Sequence, residues 1–282
     1  MSEANPPASS YDAAQISNWF DESGMKEWNR LVATPVDEVS LHIHQHYLEQ
    51  YIQPGMRILE IGAGAGRFTQ ALAGLGARVL VADISAGQLE LNRQLAARFG
   101  FAAAVEDWVQ VDICDLQAFQ PAQFDAVVAY GGPFSYVLDR RSQALNECGR
   151  VLRPGGPLLF SVMSLWGTAH RALNGVLGLP PEVNQNITAS GDLTAATFPG
   201  RQGNFMHMFR ASELRAWLQA AGWEILAISA SGVLAAGWEA VLEPIRADPP
   251  RWQELLRCEV EASAELESLN LGTHLIAVAR RA

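Results

Sequence analysis

Five short apolar runs, separated by amphipathic segments, fill the middle of this 282-residue chain. The runs have the length of β-strands and read MRILEIG, ARVLVADIS, WVQVDI, FDAVVAYGG and PLLFSVMS. One segment between them opens with Ser85 and Gln88 in the spacing of a helix capping box and ends at Gly100. Strands that are apolar throughout and alternate with helices are typical of a parallel sheet covered on both faces. The sequence therefore predicts a doubly wound α/β fold.

The rest of the chain divides into segments around this core, which spans residues 53–164. Residues 1–52 end in an amphipathic stretch and predict an N-terminal helical cap. Residues 165–210 are rich in Gly, Pro, Asn and Thr and are too many for a simple connection, so we expect a lid or substrate insert there. Five of its side chains are predicted to form an apolar lid: Trp166, Phe198, Phe205, Met206 and Met208. Residues 211–282 return to the helix–strand rhythm and are predicted to complete the core.

Composition excludes several classes of function. The formal net charge is −10 and no dense Lys/Arg run is present, which argues against nucleic acid as a partner. Three widely spaced cysteines, Cys114, Cys148 and Cys258, form neither a disulfide framework nor a CxxC metal site. We find no signal-peptide pattern and no apolar run of transmembrane length, so we expect a cytoplasmic protein without a membrane partner. The sequence carries no signal for an oligomeric state.

Three glycines at alternate positions, Gly62, Gly64 and Gly66, follow the first strand and precede a helix. Glycine lets the backbone adopt angles barred to other residues and approach a ligand closely. The free N–H groups at the start of a helix favour an anionic group there. A dinucleotide fold would carry G-x-G-x-x-G, whereas the spacing here is G-x-G-x-G. A strand, a glycine turn and a helix in this order predict a nucleotide-binding site.

An acidic residue, Glu60, stands two positions before the first glycine. A carboxylate there is badly placed beside a pyrophosphate, because like charges repel, but it suits a ligand with a cationic amine. The amino-acid half of S-adenosylmethionine (SAM) carries an ammonium and a sulfonium, and its α-carboxylate can use backbone N–H groups of the turn around Ala63. The charge at position 60 therefore favours SAM over a nicotinamide dinucleotide.

Two more acidic residues follow the next two strands. Asp83 ends the second strand, where it can accept hydrogen bonds from both ribose hydroxyls, although it might instead only cap the next helix. Asp112 ends the third predicted strand and can accept from the adenine amine; Asp115, three residues on, is the alternative. The side chains beside the purine are predicted to be Ile84 and Ile113. Glu60, Asp83 and Asp112 all lie at carboxyl ends of parallel strands, where open α/β sheets bind ligands.

The motifs LEIGAGAGRF, VLVADIS, VQVDICDL, FDAVVAYGGPFSYV and VLRPGGPLLFSV, in this order, resemble class I SAM-dependent methyltransferases of the small-molecule branch. The resemblance covers residues 56–163 well and extends in register to the last strand. It implies a Rossmann-like, seven-stranded sheet whose last strand is antiparallel. It also implies contact with SAM, and with the product S-adenosylhomocysteine (SAH), by Glu60, Gly62, Gly64, Asp83, Asp112 and Tyr130. Gln88 lies where the family often places a residue against the ribose, or it serves only the capping box.

The function predicted from these observations is SN2 methyl transfer from SAM to oxygen or nitrogen of a small organic acceptor. After the fourth strand, Tyr130-Gly131-Gly132-Pro133 replaces the Asn/Asp-Pro-Pro-aromatic motif of enzymes that methylate base amines, which disfavours nucleic acid again. Two alternatives stay open. One is an NAD(P)-dependent oxidoreductase, which the glycine spacing and Glu60 oppose; the other is a SAM-binding protein without transferase activity.

A proton acceptor is needed only if the acceptor must lose a proton. The candidates are His207, His170 and Tyr130, and an ordinary surface position is the simpler reading of either histidine. His42 and His46 share a helical face and in principle could chelate zinc, but no third ligand is evident, so we predict no metal. One of the histidines in HIHQH, which include His44, could line the pocket. Tyr130, Phe134 and Tyr136 are read equally well as acceptor-site or core residues.

Overall fold

The computed structural model describes residues 11–201 and 203–281. A seven-stranded sheet forms its centre, and two short strands pair separately as a hairpin. The strands are β1 (Arg57–Ile61), β2 (Arg78–Asp83), β3 (Val105–Gln110), β4 (Ala126–Ala129), β5 (Pro157–Met163), β6 (Asp192–Leu193), β7 (Met206–His207), β8 (Trp223–Ala230) and β9 (His274–Arg281).

The sheet has the order β3-β2-β1-β4-β5-β9-β8. Strands β1 to β5 pair in parallel, and β9 runs antiparallel between β5 and β8. The predicted seven-stranded sheet with an antiparallel last strand is therefore confirmed. The strand order reverses between β1 and β4, which is the position where open α/β sheets form a ligand crevice at the carboxyl edge.

Helices cover the sheet and form the N-terminal cap. They are α1 (Ala13–Ser23), α2 (Met25–Asn29), α3 (Pro35–Tyr51), α4 (Arg67–Gly74), α5 (Ala86–Phe99), α6 (Pro133–Tyr136), α7 (Arg141–Val151), α8 (Leu165–Arg171), α9 (Leu173–Leu177), α10 (Pro181–Ser190), α11 (Ala211–Ala220), α12 (Glu239–Arg246) and α13 (Pro249–Ala264). Single 3₁₀ turns occur at Arg30–Val32, Ala102–Ala104, Leu138–Arg140 and Leu269–Leu271. In the described part of the chain, none of these helices has the length and apolar character needed to cross a bilayer.

The two faces of the sheet bury separate apolar cores, because successive residues of a strand point to opposite sides. In β1, Leu59 joins the core that contains Phe124 and Phe160, whereas Ile58 joins the core that contains Ile43 of α3 and Leu72 of α4. All of these side chains are fully buried. Apolar side chains on both faces explain why the strand runs read as continuously hydrophobic, and they hold the strand ends in fixed positions.

The third strand begins earlier and ends earlier than the run WVQVDI predicted. Strand β3 stops at Gln110, and Asp112 lies two residues beyond it in a turn closed by a 2.8 Å bond from Asp115 N to the Asp112 carbonyl. The sheet edge still holds this segment, since Val111 N donates to the Asp83 carbonyl at 3.0 Å. Asp112 therefore comes from a turn beside the sheet edge and not from a strand end.

The segment 165–210 is built from α8, α9, α10 and the β6–β7 hairpin, so it is not an irregular loop. Its apolar residues pack together around Leu165, Val183, Ile187 and Met208, with Phe198 and Met206 at the margin. Trp166 instead remains 47% exposed. The side chains expected to form a lid thus mostly fill a small core of their own.

Candidate active site

A cavity opens at the carboxyl edge of β1 and β4, where the strand order reverses. Its floor is the turn from Ile61 to Gly66 and the start of α4. One side is formed by the residues after β2 and β3, and another by the segment after β4. The N-terminal helices supply the roof through Ile16, Phe20 and Leu31. None of the described residues of the insert 165–210 belongs to this lining, whereas several residues of the N-terminal cap do.

Each of the three glycines of the turn adopts a positive φ, with values of 68° at Gly62, 52° at Gly64 and 97° at Gly66. A Cβ atom at Gly62 would lie 2.5 Å from Cγ of Pro133, and one at Gly66 would lie 2.7 Å from Nδ2 of Asn92. Both the backbone angles and the close neighbours therefore require glycine. The turn, with Ala63 between its glycines, lines the cavity floor.

Glu60 lies directly behind this turn with a side chain that is only 2% exposed. Within the described residues no hydrogen bond of ordinary length and angle reaches either carboxylate oxygen, although the hydroxyl and N–H of Thr69 lie close enough to oppose part of the effect of burial on its pKa. Burial raises the pKa of this carboxyl to about 8. Glu60 is not itself part of the cavity surface, which begins at Ile61. A buried carboxylate without well-formed hydrogen bonds is costly, and a cation bound above the turn would relieve that cost.

Asp83 is 5% exposed and holds two turns together. Its Oδ2 accepts from Gly64 N and its Oδ1 from Ser85 N, each at 2.8 Å. Burial raises its pKa to about 6, although these backbone hydrogen bonds oppose the shift. Ser85 is the N-cap of α5, as its spacing predicted, and accepts from Gln88 N. Asp83 still faces the cavity beside Ile84, so its remaining lone pairs are available to a ligand.

Asp112 and Ile113 both line the opposite end of the cavity, whereas Asp115 does not. The Tyr11 hydroxyl donates to Oδ2 of Asp112 at 2.8 Å, and Cys114 N donates to Oδ1 at 2.8 Å. Tyr11 itself lines the cavity. The structure thus adds a tyrosine from the start of the described chain to the end of the cavity predicted to hold adenine.

Gln88 was predicted as a cofactor contact, and the structure places it outside the cavity lining. Its side-chain amide donates to the Phe20 carbonyl at 2.9 Å and to the Gly24 carbonyl at 3.3 Å. The amide nitrogen of this side chain therefore fastens the N-terminal cap to α5, while its Oε1 lies 3.8 Å from the position that a Cβ of Gly64 would take.

Comparison with known proteins agrees with this geometry. Residues 59–160 match the family described as methyltransferase domain. The chain is 27% identical over 232 residues to the ubiquinone biosynthesis O-methyltransferase of Xanthomonas campestris pv. campestris, covering 80% of this chain and 83% of that protein. Over this core the chain is similar to class I methyltransferases.

Solved structures share the fold of this chain. The Burkholderia thailandensis 1,6-didemethyltoxoflavin-N1-methyltransferase aligns with a TM-score of 0.57 at 18% identity, over 99% of this chain and 93% of that one. The [4+2]-cyclase SpnF aligns with a TM-score of 0.58 at 19% identity, over 95% and 96% of the two chains. At these identities the likeness reports the fold alone, so the chemistry of this chain must be argued from its own site.

Tyr130, the residue after β4, lines the cavity and is 3% exposed. Its hydroxyl lies 3.5 Å from the His44 carbonyl, and its ring meets those of His44 and Phe68 edge-on. Burial raises its pKa well above the usual value for tyrosine, so the phenol stays protonated at neutral pH. Tyr136 also lines the cavity, whereas Phe134 is buried in the core of the protein.

His207 lies away from the cavity lining and is 2% exposed. Its Nδ1 pairs with Asp192 and its Nε2 with Glu213, each at 2.7 Å. Burial alone would lower its pKa, but these two carboxylates raise it above the usual value for histidine. The ring therefore joins the β6–β7 hairpin to α11 as a bridge with both nitrogens engaged.

His170 is exposed and lines a second cavity, together with Ser40 and Thr273. In the HIHQH stretch, His46 bonds Gln50 on the surface, and burial lowers the pKa of His42. His44 is buried, and its Nδ1 lies 2.7 Å from the Ser40 carbonyl. Within residues 11–201 and 203–281, no group of three metal-ligating side chains is close enough to hold an ion.

Sequence reasoning missed the charged pair Glu27 and Arg30, which lines the cavity from the N-terminal cap. It also missed Asn92, which donates to the Gly64 carbonyl and Thr69 and accepts from Trp108, and so braces the glycine turn. The sequence offered one indication for Arg30: it lies within the N-terminal cap, which was expected to cover the site. No local pattern distinguishes it from a surface arginine.

Proposed function

We propose that this chain binds SAM in the cavity above the glycine turn and transfers its methyl group to a small organic acceptor. One observation supports the cofactor most directly: Glu60 is buried behind the turn, and among the described residues no well-formed hydrogen bond or cationic side chain satisfies its carboxylate. A cationic ligand group above the turn would compensate this charge. Asp83 and Asp112, at successive places along the same cavity, suit ribose and adenine.

The residues present fit each part of the cofactor. Backbone N–H groups at the start of α4 suit a carboxylate, since the first turn of a helix has no intrahelical acceptors for them. Ile84 and Ile113 offer apolar contact to a purine. Bound here, SAM would supply an electrophilic sulfonium methyl with a good leaving group. The protein's task is then to position the acceptor and exclude water, which the cap residues Ile16, Phe20 and Leu31 are placed to do.

We further propose that none of the predicted proton acceptors acts as a base. His207 has both nitrogens bonded to carboxylates outside the cavity, and His170 faces a different cavity. Tyr130 lies in the cavity, but burial disfavours its phenolate. We assign Tyr130 to shaping the wall beside the methyl group.

Binding and transfer are tested separately. Calorimetry with SAM, SAH and NADH is expected to show binding of the two adenosyl compounds and no binding of NADH. Incubation with methyl-labelled SAM and a panel of phenols, carboxylic acids and amines is expected to label at least one acceptor. Binding of NADH with no response to SAH would refute the proposed cofactor. SAH binding without any methyl transfer over a broad panel would favour the non-catalytic alternative.

A further inference from the structure

The acidic side chains of the cavity and its arginine lie at different ends. Asp83 and Asp112 line the part predicted to hold adenosine. Beside the segment after β4, the cap contributes Arg30, which lies so close to Gly131 that a Cβ there would be 3.2 Å from Nη2. Gly131 has a φ of 85° and lines the same cavity. A guanidinium therefore stands at the end of the cavity where methyl transfer is proposed.

Only part of this guanidinium is neutralised. Nε of Arg30 donates to Glu27 at 2.6 Å, whereas Nη1 and Nη2 make no hydrogen bond within the described residues. The Arg30 side chain is 40% exposed, so a ligand in the cavity can reach it. Two adjacent unbonded Nη groups form the fork that binds a carboxylate in a bidentate manner.

The two histidines nearest to Arg30 are neutral at neutral pH and add no charge of either sign. His44 and His274, which starts β9 at the same sheet edge, have ring centroids 6.1 Å apart. Nε2 of each ring has no hydrogen-bond partner within the described residues. Burial lowers the pKa of both, to about 4 for His44, and the charge of Arg30 lowers it further. Glu27 is the one carboxylate paired with Arg30 in the described part of the chain, and it leaves both Nη groups open to an anion.

The cofactor's own carboxylate has another place to bind, since N–H groups at the start of α4 receive it under the proposed function. We infer that the methyl acceptor is a small organic acid whose carboxylate is held by the Nη groups of Arg30. This inference rests on the proposed function and names the substrate class for that site. The apolar body of such an acid would contact Leu31, Phe68 and Tyr136, which line the adjoining wall.

The test uses the full chain saturated with SAH and two matched pairs of probes: benzoate with benzamide, and phenylacetate with phenylacetamide. We expect each carboxylate to bind at least about tenfold more tightly than its amide, as one charge-assisted pair supplies that much. Arg30→Met should abolish this preference, and Arg30→Lys should retain part of it. Arg153→Met, which removes an exposed arginine paired with Asp125, should leave it unchanged.

The affinity for SAH shows whether Arg30 binds the carboxylate of the methyl acceptor or that of the cofactor. We expect Arg30→Met to change SAH binding by less than about twofold. If SAH binding weakens while binding of 5′-methylthioadenosine, which lacks the carboxylate, does not, then Arg30 holds the cofactor and the inference is overturned. Equal binding of acid and amide, or binding of neither, overturns it as well. Failure of the wild-type chain to bind SAH would instead refute the proposed function.

Discussion

At the scale of single residues, the buried carboxylate of Glu60 has a consequence for stability. Its pKa is about 8 in the folded chain against 4.5 unperturbed, so between these values the folded state binds more protons than the unfolded state. The free energy of unfolding therefore falls as pH rises through this window, by up to about 1.4 kcal/mol per pH unit. The ionised carboxylate of Glu60 destabilises the ligand-free protein, and a bound cation would compensate that charge. This is the behaviour expected of a residue in a binding site.

We predict that Glu60→Gln removes this dependence. Chemical unfolding measured from pH 5 to pH 8 should show a flatter stability profile, with the largest gain over the wild type near pH 8. SAM affinity should fall in the same variant, because the amide offers no charge to the ammonium. Glu90→Gln, on the exposed face of α5, is the matched control and should follow the wild-type profile. A profile for Glu60→Gln that parallels the wild type would contradict the assigned pKa.

Asp83 allows a second prediction. Asp83→Ala removes the acceptor for Gly64 N and Ser85 N as well as the proposed ribose contact. We expect SAH affinity to fall at least about tenfold and unfolding free energy to fall by about 1–3 kcal/mol. Asp115→Ala, which changes a carboxylate outside the lining, should alter neither by comparable amounts. Unchanged SAH affinity in Asp83→Ala, measured by calorimetry, would remove the ribose role.

Sequence reasoning placed a residue at this edge of the sheet when the residue lies in, or directly beside, a strand that the same short segment predicts. Glu60 lies near the end of β1 and Gly62–Gly66 follow that strand directly, so a parallel sheet necessarily brings them to its carboxyl edge. Gln88 shows the limit of such reasoning: its spacing fits two local roles, and a carbonyl of α1 distant in sequence determines its actual contact. Tyr11, Glu27 and Arg30 were unpredictable because the docking of the cap depends on tertiary packing.

At the scale of elements, the insert is joined to α11 by the bridge Asp192–His207–Glu213. The raised pKa of His207 means that its contribution to stability is complete below pH 6.5 and is lost as pH rises through the folded pKa. Burial alone would raise the pKa of Glu213, but the hydrogen bond and the charge of His207 lower it. The contribution of Glu213 to stability is therefore lost as the pH falls below 4.5. The hairpin should therefore be held most firmly in mildly acidic solution.

We predict that His207→Gln destabilises the chain, because a neutral amide cannot replace a charged bridge between two carboxylates. The expected loss is about 1–3 kcal/mol near pH 6 and less at pH 9. Methyl transfer per folded molecule should change little, since the ring lies outside the cavity. His170→Gln is the control for stability. A large loss of turnover at unchanged stability and cofactor affinity would restore His207 as a catalytic candidate.

At the scale of the whole molecule, the N-terminal cap forms the roof of the cavity, so we expect a bound ligand to contact it and to stabilise its attachment. Its attachment is polar and local: Asp21 accepts from Gly87 N at 2.9 Å, and Ser17 donates to the Ile84 carbonyl at 3.1 Å. Arg67 donates to the Trp28 carbonyl at 2.7 Å and stacks over its ring. All three contacts reach residues of, or next to, the turns that hold the proposed cofactor, so ligand binding and cap closure are coupled.

Hydrogen–deuterium exchange with and without SAH tests this coupling. We expect SAH to slow exchange in α1, α2 and the glycine turn, because a ligand under the roof stabilises the closed cap. Exchange in α10 and the β6–β7 hairpin should stay within error of the free protein. Asp21→Ala should weaken the protection of α1 and speed SAH dissociation, whereas Asp12→Ala, at the N-cap of the same helix, should affect helix fraying without changing dissociation. Protection confined to residues 165–210 would assign the covering role to the insert after all.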